Sequence, residues 1–129
     1  MRTSTRISTS LAVAALAASM LAPTAALAGG GATTTAATCG GARLKMKARP
    51  EVPNRVGVDF EANGPAGQRW AISLFDNQAR IHHGVHTIGA VTHSFAVHKV
   101  TRNRPGADRI RYRAVRMATG KVCTGQVRL

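Results

Sequence analysis

The chain has 129 residues and carries 18 Lys and Arg against five Asp and Glu, a net charge of +13 at neutral pH. That length allows one domain. Five carboxylates are few for the paired-carboxylate chemistry of glycoside hydrolysis, and the charge favours anionic partners.

The N-terminal stretch has Arg2 and Arg6, an apolar run from Leu11, and the small-x-small sequence Ala26-Leu27-Ala28. It reads as a secretory signal peptide over residues 1–28, cleaved after Ala28. Pro23 and the alanine-rich run predict no stable membrane anchor after cleavage. Cleavage removes two of the 18 basic residues, leaving sixteen against five acids and a net charge of +11. Residues 29–38, GGGATTTAAT, are small and polar without a period and read as a flexible leader.

From residue 39 onward, period-two alternation recurs between turn signals. Ala42, Leu44, Met46 and Ala48 alternate with Arg43, Lys45, Lys47 and Arg49 before the run stops at Pro50. Val56, Val58, Phe60 and Ala62 form the next inward set, with Asp59 and Glu61 outward. Asn63 to Gly67 turn the chain, and Trp70, Ile72 and Leu74 face inward before a turn at Asp76-Asn77-Gln78. Two weaker runs follow over 80–89 and 93–100, the second led by Phe95 and Val97. Ile110, Tyr112 and Ala114 point inward against Arg109, Arg111 and Arg113, and the last run carries Cys123, Val127 and Leu129 inward. About seven short strands without a helical stretch predict an all-β antiparallel sandwich over residues 39–129.

Two features resemble the immunoglobulin-like fold. Asp108-x-Ile110-x-Tyr112-x-Ala114 is similar to the Asp-x-apolar-x-Tyr-x-Cys stretch at the tyrosine corner, and Trp70 follows Val58 by twelve residues, near the usual cysteine-to-tryptophan distance. The resemblance implies a Tyr112 hydroxyl bonded back to nearby backbone. Val58 and Ala114 occupy the two family cysteine positions, so the usual inter-sheet disulfide is absent. Such a fold hosts many functions and selects none.

Cys39 and Cys123 are the two cysteines, and in an oxidising compartment they form one disulfide. Their bridge bears on whether the basic residues make a site. If the first strand pairs with residues 55–62, then Arg43, Lys45 and Lys47 face Asp59 and Glu61 and are structural. If the bridge ties the first strand alongside the last, Arg43, Lys45, Lys47, Arg109, Arg111, Arg113 and Arg128 share one flat sheet surface without acids, joined by Arg69. The second arrangement is the expected one. It predicts a salt-sensitive, weakly sequence-specific face for anionic polymers such as a cell-wall polymer, glycan or nucleic acid, with at most one aromatic on it.

Of five histidines, His82 and His86 share one face of a strand and are the weak candidates for a metal, which needs three or four converging ligands. Ser73 and Ser94 lie in no nucleophile elbow. No cofactor motif is present. The reading is a secreted, non-catalytic binding module with a basic sheet face. A small ribonuclease using Glu61 or a histidine as base, and a histidine-based metal-binding protein, are the alternatives.

Overall fold

The computed structural model describes residues 31–129. Eight strands follow one another: β1 (Thr33–Cys39), β2 (Ala42–Glu51), β3 (Arg55–Asn63), β4 (Arg69–Asp76), β5 (Ala79–Thr87), β6 (Ser94–Arg102), β7 (Arg109–Arg116) and β8 (Val122–Arg128). They form two antiparallel four-stranded sheets, β1-β2-β3-β6 and β5-β4-β7-β8. This order is compatible with an immunoglobulin-like sandwich, with one strand beyond the expected seven. Residues 1–28, read above as a signal peptide, lie outside the described residues.

The inward sets named by alternation are the core. Leu44, Met46, Val58, Phe60, Trp70, Ile72, Leu74 and Ile110 have no exposed surface. Each comes from every second position of its strand, so one face of each sheet is apolar and the two faces pack together. Tyr112 sits between the sheets with its ring centroid 5.0 Å from that of Phe60. It lies over Gly125, where an added Cβ would run into Tyr112 Cε1. The tyrosine-corner bond implied by the resemblance is not among the hydrogen bonds of the described residues. Burial raises the Tyr112 phenol above its ordinary pKa.

Three expectations need correction. First, most of the stretch read as a flexible leader is β1, paired in unbroken register with β2 from Thr33↔Ala48 to Cys39↔Ala42. Gly40 and Gly41, with φ of 60° and 82°, supply the two positive angles that a two-residue hairpin turn requires. They join β1 to β2 and do not loosen the register of a single strand. Second, β2 continues through Pro50 to Glu51. Pro50 lies beyond Ala48, the last residue of β2 that β1 pairs with, so the strand is an edge on that side and tolerates proline.

Third, β2 does not pair with the last strand. Its other neighbour is β3, reached through the short connection 52–54, with Lys45 opposite Glu61 and Lys47 opposite Asp59. With β1 on one edge and β3 on the other, β2 has no edge left for β8. The Cys39–Cys123 bridge exists, with Cα atoms 6.2 Å apart, but it crosses the gap between β1 of one sheet and β8 of the other. A Cα distance in that range is met across the border of a sandwich as readily as within one sheet.

Candidate functional site

The two outer faces differ in charge. On the sheet containing β2, Arg43, Lys45 and Lys47 stand in the rows of Asn63, Glu61 and Asp59. Arg49 pairs with Asp59 at 3.0 Å and with Glu51 at 3.1 Å. His98 Nδ1 meets the other Asp59 oxygen at 2.5 Å. All three acidic side chains that reach solvent are on this face, so it is a mixed-charge, structural surface.

Among the described residues, the outer face of the other sheet contains no acidic side chain. In successive rows across β4, β7 and β8, Ser73, Arg113 and Thr124 stand together, then Phe75, Arg111 and Gln126, then Arg109 and Arg128. Alternation aims Arg109, Arg111 and Arg113 outward because Ile110, Tyr112 and Ala114 fill the core. The other two acids, Asp76 and Asp108, are buried near the Arg109 end of this sheet. Arg69 lies on the same outer face but in a different row. The residues Val85, Ala71, Val115 and Val122 lie between it and Arg113. Thus four of the eight basic residues expected on one surface, Arg109, Arg111, Arg113 and Arg128, are brought together, Arg69 is set apart, and Arg43, Lys45 and Lys47 belong to the opposite face.

No protein-family model, curated protein or solved structure matches the chain. The chemistry of the site therefore rests on its geometry alone.

One basic member of the face escapes a reading by alternation. Arg80 has the same parity as His82, Gly84 and His86, all of which turn inward. A register shift at Leu74/Phe75 pairs Phe75 with Arg80 and Leu74 with His82, leaving Ile81 as an extra residue. This bulge returns Arg80 to the outer face. Phe75 lies on the same face, where the alternation of β4 places it opposite Arg111. Its ring lies 5.1 Å from the Arg111 guanidinium carbon, and Arg111 Nη2 also donates to the Asn77 carbonyl at 3.1 Å. Arg111 is thereby held at its face and at its tip. The surface is not flat beside it: depressions of about 380 Å³ toward Arg109, Arg128 and Asn77, and about 400 Å³ toward Arg113, Thr124 and Gln126, share Arg111 as a wall.

The histidine-bearing strand β5 borders the sandwich opposite the disulfide. His82 and His86 face inward and their Nε2 atoms approach to 3.0 Å, an arrangement in which one ring donates and the other accepts. They close over Gly84, and His86 stacks on Phe95 of β6 at 5.2 Å. Burial, with the nearby Lys99 charge, lowers the pKa of both. Among the described residues no group of three or more His, Cys, Asp or Glu converges on one point, so the pair is a polar cap on the core edge. His83 turns outward and its Nδ1 lies 2.9 Å from Ser73 Oγ. Glu61, the base named for a nuclease, accepts a hydrogen bond from Asn63 on the opposite sheet and is not brought to this histidine cluster.

Proposed function

We propose that the chain is exported and acts as a non-catalytic binding module, with the outer face of the β5-β4-β7-β8 sheet as its surface for anionic polymers. The observation that carries this reading is segregation. Arg80, Arg109, Arg111, Arg113 and Arg128 share one face, while every acidic side chain that reaches solvent is on the other. None of these guanidinium groups is in a salt bridge among the described residues, and apart from the Arg111 bond to the Asn77 carbonyl their donors can serve phosphate, sulfate or carboxylate, which arginine binds bidentately. The single disulfide in a small domain is consistent with an extracellular protein, and the immunoglobulin-like reading suits a recognition module.

The test is binding to a panel of polyanions across a salt series, with Arg109, Arg111 and Arg113 all changed to Ser in one variant. The expected result is tight low-salt binding by the wild type. The slope of log K against log salt should shrink in the variant by about one for each phosphate that is no longer neutralised. Equal, weak binding by both proteins would reduce the face to a solvated surface.

A further inference from the structure

The polyanion reading leaves the polymer unspecified, and the geometry around Arg111 narrows it. We propose that this face takes single-stranded nucleic acid, with phosphates on Arg109, Arg113 and Arg128 and a base stacked on the Arg111 guanidinium where it lies over Phe75. This inference rests on the polyanion reading above.

Three observations carry it. Arg111 has two partners without any ligand, the Phe75 ring at 5.1 Å and the Asn77 carbonyl at 3.1 Å. Its guanidinium lies over an aromatic ring, and nucleobases stack on guanidinium and aromatic planes in sequence-tolerant single-strand recognition. A sugar ring or a poly(glycerol phosphate) repeat has no π-face for such a plane. Next, Arg111 separates two depressions of about 380 and 400 Å³. Arginines at alternate positions of β7 lie along both, at a repeat of about 6.8 Å set by the strand, so an extended chain can place charged groups on either side of one stacked unit. Finally, the face is too broad to read a duplex from within its major groove. The major groove, about 12 Å wide, admits one helix or a two-stranded ribbon. Four strands spaced by about 4.8 Å are too broad to enter it.

The deciding experiment uses the purified protein and fluorescence anisotropy with a twelve-nucleotide oligo-dT, an abasic oligonucleotide of the same length and charge, and a heparin oligosaccharide of matched charge. Oligo-dT is expected to bind at least about fivefold more tightly than the abasic strand. Phe75→Leu and, separately, Arg111→Lys should close the gap between the two probes, bringing oligo-dT down to the affinity that the same variant has for the abasic strand. Arg111→Lys alters only a surface group, so it decides the matter even if Phe75→Leu fails to fold. Equal, salt-sensitive binding of oligo-dT and abasic strand by the wild type would overturn the base-stacking assignment and leave the polyanion reading standing. Tighter binding of heparin than of oligo-dT would make a glycan the ligand and overturn it too. Binding of no probe would defeat both readings together.

Discussion

Two residues show how strongly a single side chain is constrained here. Asp76 ends β4 pointing inward with no exposed surface, and Asp108 beside it is 3% exposed. Both Asp76 oxygens and Oδ1 of Asp108 lack a hydrogen-bond partner. Burial first, then the nearby Asp108 carboxylate, raise Asp76 from 3.8 to about 6, with Arg104 pulling the other way. The folded state therefore holds this proton more tightly than the unfolded chain. Its contribution to stability is fully present below about pH 4, falls as pH rises to about 6, and stays lost above. Asp76→Asn is expected to be more stable than the wild type at pH 7.5 by about 1 to 3 kcal/mol, and to lose the slope between pH 4 and 6. Urea unfolding at pH 4.5, 6 and 7.5 measures both, and a wild-type stability that is constant over those three points would refute the account. Gly125 is the second residue. Any Cβ there meets the Tyr112 ring, so Gly125→Ala should lower stability by about 1 to 3 kcal/mol through displacement of a core aromatic. Pairing it with Tyr112→Leu should recover part of the loss in a double-mutant cycle. Neither the Asp pair nor the close approach at the glycine was legible in the sequence. Asp108 reads there as one half of a tyrosine corner, and Gly125 as one more weak position in a strand.

At the scale of the strand, period two was legible nearly everywhere, because it is set by each residue's immediate neighbours. Leu44, Val58, Ile72 and Ile110 are all buried where alternation put them. It fails at β5, where the bulge reverses the direction of Arg80, and at β1, whose TTTAAT sequence has no large apolar residue to mark a face. Gly40-Gly41 between two alternating runs was the available signal for that hairpin. Strand placement also separates the two basic rows functionally. Changing Arg43, Lys45 and Lys47 together to Ser removes as many charges as the triple substitution on β7. Because these residues sit opposite Asn63, Glu61 and Asp59, it should weaken polyanion binding far less, through the long-range field alone. Isothermal titration of both triple variants at one salt concentration tests this, and equal losses would show that net charge, not the face, governs binding.

For the whole molecule, the disulfide closes one border of the sandwich and the His82–His86 cap with Phe95 covers the other. The bridge joins residues 84 apart in sequence, so by loop-closure entropy it stabilises by about 4 to 5 kcal/mol. Cys39→Ser with Cys123→Ser should lower the unfolding free energy by an amount of that order, read from denaturant melts. A loss under about 1 kcal/mol would mean that packing of β1 against β8 already holds that border. The intact bridge also anchors β1 as an edge strand, since its last residue is the cysteine itself.

The sequence by itself determined the all-β class, the inward face of most strands, the cysteine pair and the outward direction of Arg109, Arg111 and Arg113. These follow from local alternation and from the count of two thiols. Only the tertiary structure decided that Arg43, Lys45 and Lys47 face the opposite side from them, that Arg80 and Phe75 complete the basic face, and that Asp76 meets Asp108. Strand adjacency is a long-range choice: each ladder is selected by the sum of its pairings against every competing neighbour, and one hairpin turn at Gly40-Gly41 was enough to exchange the neighbour of β2.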